Sequence, residues 1–179
     1  LHTVTRRQRQ MCIRDRIGND IDGESSYDYS GQSVSLSSDG SVVAIGAFQN
    51  DGGGSNSGHV RVYENDNGTW TKIGDDIDGE AANDYSGYSN SGSAVSLSAD
   101  GSVVAIGARY NDGGGSNSGH VRIYENDNGT WTQIGSDIDG EGSSDYFGYS
   151  VSLSSDGSVV AIGARYNDGG GSNSGHVRI

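Results

Sequence analysis

One stretch of fourteen residues, present in three copies, constrains the fold of this chain more than any other feature. It fills residues 34–47 and 151–164 without a change, and residues 95–108 with Ala99 in place of Ser. In its first half Val and Leu alternate with Ser, which is the two-residue period of a half-buried strand. Ser-Asp-Gly then gives a tight turn, and Val-Val-Ala-Ile-Gly-Ala is apolar on both faces, as in a strand covered on both sides. The stretch therefore predicts a β-hairpin in each copy.

The distances between the copies define a repeating unit. Ile17 and Ile73 stand 56 residues apart, and His59 and His120 stand 61 apart because the middle copy has five extra residues, 90–94. This period exceeds the roughly 20–30 residues of a β-solenoid coil and is close to that of one propeller blade. Each unit holds four strand signals, as a blade does. The chain is therefore predicted to be all-β, a fragment of a β-propeller with about three four-stranded antiparallel blades.

The same pattern predicts the strands and the unit boundaries. In the second unit we expect strands at residues 95–98, 102–108, 120–125 and 130–135, a first loop at 109–119 and a second loop at 137–148. The second strand should be the most buried of its unit, and residues 90–94 should loop out. The predicted order is a leader (1–16), the end of a preceding blade with a linker (17–33), a blade (34–74), a linker with the insert (75–94), a blade (95–135), a linker (136–150) and a truncated blade (151–179).

Residues 1–16 share nothing with the repeats. Residues 6–16 read Arg-Arg-Gln-Arg-Gln-Met-Cys-Ile-Arg-Asp-Arg, which resembles a translated transposon-type sequencing adapter. We therefore expect this leader to be an artefact that the natural gene does not encode, and to be disordered. It holds the only Cys, the only Met and five of the eleven basic residues.

Without the leader the chain is strongly acidic. From Ile17 onward six basic and 23 acidic residues give a formal net charge of −17. This charge argues against nucleic acid or an anionic membrane surface as partner. No Cys remains for a disulfide or for thiol chemistry, and no segment approaches the ~18 apolar residues of a membrane span.

A Phe-Gly pair precedes a Gly-Ala pair at a fixed spacing in the third unit. Phe147-Gly148 is followed fifteen residues later by Gly163-Ala164, with Trp131-Thr-Gln-Ile-Gly before the pairs and Asn167-Asp-Gly after them. This pattern resembles the FG-GAP repeat of the integrin α-subunit propeller and covers residues 17–179. The resemblance implies a β-propeller of the kind found in large secreted or surface proteins of bacteria and some marine eukaryotes.

The sequence also departs from that family. Ser-Gly replaces Phe-Gly in the first two units, and Phe48, Arg109 and Arg165 replace the Pro of Gly-Ala-Pro. Integrin-type blades often have an Asp-x-Asp-x-Asp-Gly calcium loop between their first two strands. Here Ser-Asp-Gly or Ala-Asp-Gly makes that connection, which is too short to wrap an ion. The family's calcium site is therefore not carried over to this chain.

The second loop of each unit is the best candidate for a metal site. Calcium takes six to eight oxygen ligands, and clustered carboxylates around a Gly turn can supply them. The alternative is a strand end whose Ile packs inward while the Asp residues face water. The candidate calcium ligands are Asp20, Asp22, Glu24 and Asp28, Asp76, Asp78, Glu80 and Asp84, and Asp137, Asp139, Glu141 and Asp145.

Three other recurring features have structural interpretations. The Gly-rich loops that begin at Asp51, Asp112 and Asp168 lack the Lys-Ser or Lys-Thr of a phosphate-binding loop and predict flexible blade edges. One His per unit, on separate blades, is unsuited to a shared zinc site, so His59, His120 and His176 are expected to be packed or surface residues. Trp70 and Trp131 are expected in the blade core rather than as a pair that stacks on sugars.

No catalytic constellation interrupts the repeats, so we expect no enzymatic activity. The predicted function is that of an extracellular or cell-surface module for adhesion or interaction with a protein or glycan ligand, joined to the remaining blades of the same chain. No cofactor is expected besides calcium. One alternative is a propeller enzyme, a glycan hydrolase or lyase, with its active site outside these residues. The other is a structural spacer in a large surface protein.

Overall fold

The computed structural model describes residues 16–89 and 93–179, and every regular element there is a β-strand. None of these residues belongs to a helix that could cross a membrane. The expected disorder of the leader concerns residues outside the described ones, apart from Arg16. The strands are β1 (Ser30–Leu36), β2 (Val42–Ala47), β3 (His59–Asp66), β4 (Thr69–Lys72), β5 (Ile77–Asp78), β6 (Val95–Leu97), β7 (Val103–Ala108), β8 (His120–Asp127), β9 (Thr130–Gln133), β10 (Ile138–Asp139), β11 (Phe147–Leu153), β12 (Val160–Ala164) and β13 (His176–Arg178).

The strands form three antiparallel sheets, one for each repeating unit. The first sheet has the order β1-β2-β3-β4, the second the order β6-β7-β8 with β9 on β8, and the third the order β11-β12-β13. The predicted hairpin is present in each unit, with Val34 opposite Ile45, Val95 opposite Ile106 and Val151 opposite Ile162. The prediction of an all-β, propeller-like fragment is confirmed.

The predicted second loop contains a further short strand. β5 pairs with the start of β3, placing Ile77 opposite Val60 and Asp78 opposite His59, and β10 pairs with β8 in the same way. β4 reaches only as far as Tyr63 along β3, so β5 pairs backbone groups that β4 leaves open. The loop prediction for residues 137–148 is wrong in this respect, and also because β11 begins at Phe147. Ile77 is buried while Asp78 is exposed, which agrees with the strand-end alternative.

Burial of the central strands depends on the neighbouring units. β7 is buried at every residue, as predicted, because a sheet lies on each side of it. β2 alternates between buried and half-buried residues, whereas the first five residues of β3 are all buried. The prediction that the second strand is the most buried is therefore wrong in the first unit, where the described residues cover only one side of β2.

Part of the five-residue insert belongs to the sheet. Ala94 is fully buried and its carbonyl accepts a hydrogen bond from the Gly107 amide at 2.8 Å. The Ser93 carbonyl accepts one from the Val151 amide at 2.7 Å. Ala94 thus extends the edge of the second sheet and Ser93 bonds to the third sheet, so neither loops out. Residues 90–92 lie outside the described residues.

Successive units are joined by repeated hydrogen bonds between their first hairpins. The Ser35 hydroxyl accepts a hydrogen bond from the Leu97 amide, and the Ser96 hydroxyl accepts one from the Leu153 amide, both at 3.0 Å. The hairpin turns also bond to one another, from the Ser38 amide to the Ala99 carbonyl and from the Ala99 amide to the Ser155 carbonyl, both at 2.8 Å. The first strands of the three units therefore lie side by side.

Candidate functional site

The acidic segments pack against the start of the third strand of each unit. This strand begins His-Val-Arg, and its two-residue period places the His and the Arg on one face. The Arg reaches the Glu of the preceding acidic segment and a backbone carbonyl of the same segment. The ion pairs are Arg61–Glu24 at 3.3 Å, Arg122–Glu80 at 3.5 Å and Arg178–Glu141 at 2.8 Å, and the accepting carbonyls are those of Asp22, Asp78 and Asp139.

Three of the four predicted calcium ligands of each segment, the first Asp, the Glu and the last Asp, have separate side-chain partners. The first Asp of each segment contacts a nearby side chain, in the pairs Asp20–Arg16 at 3.3 Å, Asp76–Lys72 at 2.6 Å and Asp137–Gln133 at 2.6 Å. The fourth is buried and accepts a hydrogen bond from an asparagine, in the pairs Asp28–Asn50, Asp84–Asn111 and Asp145–Asn167. Burial raises the pKa of the Asp84 carboxyl. The structure thus disperses each quartet among several partners, and calcium binding by these residues stays a prediction.

Carboxylates of two successive segments meet at a buried histidine. We call Glu24, His59 and Asp76 the first histidine cluster, and Glu80, His120 and Asp137 the second. His59 Nδ1 lies 3.5 Å from Asp76 Oδ2, and His120 Nδ1 lies 3.8 Å from Glu80 Oε2 and 3.7 Å from Asp137 Oδ2.

Both histidines are 1% exposed, and their Nδ1 atoms have no hydrogen-bond partner among the described residues. Burial lowers the pKa of His120 to about 4, with Arg122 adding to the fall and Asp137 opposing it. Burial likewise lowers the pKa of His59. His59 and His120 are therefore packed, one of the two outcomes expected for these histidines, but the carboxylates around them were not foreseen. The sequence signal that could have indicated these carboxylates is the His-Val-Arg start of the strand, which places the His and the Arg on one face.

A row of aromatic rings crosses the three units at the end of the second strands. Neighbouring ring centroids lie 4.3–5.4 Å apart from Tyr29 through Phe48 to Tyr88, and 5.3–5.4 Å apart from Tyr85 through Tyr110 and Tyr146 to Tyr166. Phe48 joins the two runs, since its ring lies 5.9 Å from that of Tyr85. We call these seven residues the aromatic row.

Three tyrosines of the row have the same strained backbone conformation. Tyr29, Tyr85 and Tyr146 have φ angles of 53°, 51° and 53°, in the left-handed region that bulky residues rarely adopt. Each directly follows the buried aspartate that bonds to an asparagine, so a fixed anchor precedes the strained residue. Such outliers persist where the surrounding structure determines them, and they cluster at functional sites.

An arginine cleft opens between the second and third units along this row. Its volume is about 280 Å³, and it is lined by Arg109, Tyr110, Ser144, Tyr146, Tyr149, Arg165, Tyr166 and Asn173. None of these eight described residues is acidic, although the chain is strongly acidic overall.

Arg109 is held in the cleft by aromatic rings. Its guanidinium carbon lies 4.2 Å from the ring centroid of Tyr88, 4.8 Å from that of Tyr149 and 4.9 Å from that of Tyr110. The side chain is 3% exposed, and its Nε has no hydrogen-bond partner among the described residues. Arg165 is exposed and lies over the rings of Tyr149 and Tyr166. The cleft therefore combines positive charge with apolar ring faces.

Comparison with known proteins bears on the fold and the repeat family. A structure of a proposed 6-phosphogluconolactonase from Bacteroides uniformis is similar over 75% of this chain and 33% of that chain, with 16% identity and a TM-score of 0.49. The chain thus spans about a third of the length of that protein. The search of curated proteins gave no significant match. The family model described as FG-GAP repeat matches residues 21–63 and 136–179, and the predicted resemblance is confirmed: the chain carries FG-GAP repeats that fold as blades of a β-propeller-type module.

Proposed function

We propose that this chain is a non-catalytic interaction module of an extracellular or cell-surface protein, and that it binds a glycan with carboxylate or sulfate groups in the arginine cleft. One observation carries the proposal. In a chain whose net charge is −17 from Ile17 onward, the described lining of this cleft holds two arginines and no carboxylate. A site of this charge favours an anionic ligand.

The side chains of the cleft suit both parts of such a ligand. A guanidinium can form two parallel hydrogen bonds to a carboxylate or sulfate. Arg165 is exposed at the cleft, and the buried Nε of Arg109 has no partner among the described residues. Half-exposed tyrosine rings offer an apolar face for a sugar ring together with a hydroxyl that can form hydrogen bonds. The strained Tyr146 presents one such ring at the cleft.

The aromatic row extends the cleft along the molecule. Ring contacts continue from Tyr166 in the third unit to Tyr29 in the first. A row that crosses several units suits an extended chain of sugars better than a single small molecule. The cleft itself, at about 280 Å³, lies at the small end of the size range of ligand sites.

Binding of the full chain to immobilised polysaccharides tests the proposal. We expect retention on a uronate polymer or a sulfated polymer, and none on a neutral glucan. Arg165→Gln should weaken binding at least tenfold because it removes a charge at the cleft. Tyr146→Asn should weaken it about as much, since Asn tolerates a positive φ and the change removes only the ring.

The control is Lys72→Gln. It removes one positive charge at a residue that does not line the cleft, and Gln133 is the natural residue at the equivalent position of the next unit. This variant should bind as the parent does. If it weakened binding as much as Arg165→Gln, binding would depend on total charge and the cleft would not be the site. If no polymer were retained, the proposal would fail, and the result would favour the alternative of a structural spacer in a large surface protein.

A further inference from the structure

We propose that the two histidine clusters are binding sites for a first-row divalent transition metal ion, with zinc as the preferred ion. The proposal is independent of the arginine cleft. It rests on the arrangement of one buried imidazole and two carboxylates, which occurs twice in the chain.

The donor atoms are close to the positions that a metal ion needs. In each cluster one nitrogen and two carboxylate oxygens all lie within 4.8 Å of one another. Ligands at the usual zinc distances of about 2.0–2.2 Å lie about 3.3 Å apart in a tetrahedral site. His120 Nδ1 is 3.7 Å from Asp137 Oδ2 and 3.8 Å from Glu80 Oε2, so small side-chain rotations complete the set.

The imidazole nitrogens point to a ligand that the protein itself does not provide. His59 and His120 are buried, and their Nδ1 atoms, which face the carboxylates, have no hydrogen-bond partner among the described residues. A buried polar atom without a partner is costly. A metal ion at the centre of the cluster would satisfy the nitrogen and both carboxylates together.

The outer oxygen of each carboxylate is already fixed by a neighbour. In the second cluster Arg122 lies 3.5 Å from Glu80 Oε1, and the Gln133 amide donates to Asp137 Oδ1 at 2.6 Å. The oxygens that face His120 are Oε2 and Oδ2. Outer partners that orient the ligands in this way are a regular feature of metal sites.

The donor set selects the class of metal. An imidazole with two carboxylates suits zinc and its first-row neighbours. Calcium takes six to eight oxygen ligands, and magnesium requires octahedral oxygen coordination. Three protein ligands leave the fourth position of a tetrahedral zinc ion for water. In the second cluster the ion would join the segment after β5, β8 itself and the segment after β9.

The two clusters differ in the side chain that contacts the second carboxylate; the exposed Asp75 before Asp76 also corresponds to Ser136 before Asp137, but it is one residue further from the site. Lys72 binds the outer oxygen of Asp76 at 2.6 Å, whereas the neutral Gln133 binds that of Asp137 at the same distance. The first cluster thus has two cations beside its carboxylates, Arg61 and Lys72, and the second has only Arg122 recorded as an ion-pair partner among the described residues. The second cluster should therefore bind zinc more tightly, by about tenfold or more.

Thermal unfolding and calorimetry of the full chain with zinc chloride test the proposal. His2 and Cys12, which lie outside the described residues, are replaced by Gln and Ser in every sample to remove other zinc ligands. A ligand of the folded state raises the melting temperature with its concentration. We expect zinc to do so, and calcium and magnesium at equal ionic strength to have much smaller effects. Cobalt(II) should give the visible absorption of a tetrahedral ion.

Matched variants locate the ion. Glu80→Gln preserves the shape of an exposed side chain and should weaken tight zinc binding at least tenfold. Gln133→Lys, which copies the first cluster, should do the same, whereas Lys72→Gln should strengthen the weaker site about tenfold. His176→Gln is the control, because no such cluster is recorded at that histidine among the described residues. The proposal is overturned if zinc gives no selective shift, or if Glu80→Gln and Gln133→Lys bind it like the parent.

Discussion

The aromatic row contains two clefts at equivalent places between successive units, and their chemistry differs. The first cleft is lined by Phe48, Gln49, Tyr85, Tyr88 and Tyr110 and carries no charge among its described lining residues. In the arginine cleft the position after Gly-Ala is Arg109 instead of Phe48. The Phe48 ring stacks on Tyr88 at 4.3 Å, and one unit later the Arg109 guanidinium lies 4.8 Å from the corresponding ring, that of Tyr149. The exchange of Phe48 for Arg109 thus places a cation where the first cleft has an uncharged ring, which is the difference that the proposed function uses.

The histidine clusters show the same division between a constant backbone and a variable side chain. Both clusters have equivalent strand pairing, with His59 opposite Asp78 and His120 opposite Asp139. Lys72 and Gln133 differ in the charge that they place against the first aspartates, and Asp75 before Asp76 corresponds to Ser136 before Asp137. In this repeat the conformation is set by residues that recur, and the chemistry is adjusted where the copies differ.

The largest expected effect concerns the close backbone contact between glycines of successive units. A Cβ at Gly107 would overlap the backbone of Gly148 in the next unit. Gly107→Ala should therefore lower the free energy of unfolding by about 3 kcal/mol through overpacking. In Gly163→Ala the added Cβ meets mainly the movable hydroxyl of Ser150, and the effect should stay below about 1 kcal/mol. Denaturant titration measures the free energy of unfolding of both variants. Equal losses would contradict a special role for the contact between Gly107 and Gly148.

A second prediction converts the first cleft into a copy of the arginine cleft. Phe48→Arg introduces a guanidinium beside Tyr88, as Arg109 lies beside Tyr149 in the arginine cleft. We expect a second binding site for the anionic polysaccharide, with affinity within about tenfold of the natural cleft. Titration with a short uronate oligosaccharide should give two sites per chain instead of one. Phe48→Leu is the uncharged control, and a second site in that variant would show that charge is not required.

The smallest expected effect concerns the hairpin turns, whose carboxylates are exposed. Hydrogen bonds from Ser41 and Ser37 lower the pKa of Asp39 to about 2, and those from Ser154 and Ser158 do so for Asp156. A carboxyl with a lowered pKa stabilises the folded state above its ordinary value near 4, and this contribution is lost as the pH falls towards 2. Melting temperatures between pH 5 and pH 2 should fall slightly more in the parent than in the Asp39→Asn, Asp156→Asn double variant. Parallel curves would contradict a role for these turns.

Much of the fold was predictable because it depends on local pattern. The alternation of Val and Leu with Ser and the Ser-Asp-Gly turn specify a hairpin without reference to the rest of the chain. β5 was missed because two residues give no periodicity, and its pairing depends on how far β4 extends along β3. Ala94 was placed in a loop because it belongs to an insert, yet its burial follows from the neighbouring sheet.

The candidate sites were less predictable because they form between units. Tyr29, Phe48, Tyr88 and Tyr110 have no common spacing in the sequence, and only the stacking of the sheets brings their rings together. The histidine clusters could have been found in part, since His120 and Arg122 share a face of β8. That Glu80 would reach this face depends on the path of the segment between two units, which no local pattern specifies.

The hydrogen bonds between hairpin turns limit where such an array can change in length. Ala99 uses both its amide and its carbonyl to bond the turns on either side, so one added residue in that turn would remove contacts with two units at once. All three turns have the same length, whereas the five extra residues lie in the segment between two units. New loops, tags or binding peptides should therefore be accepted beside residues 90–92 and rejected at Asp100-Gly101.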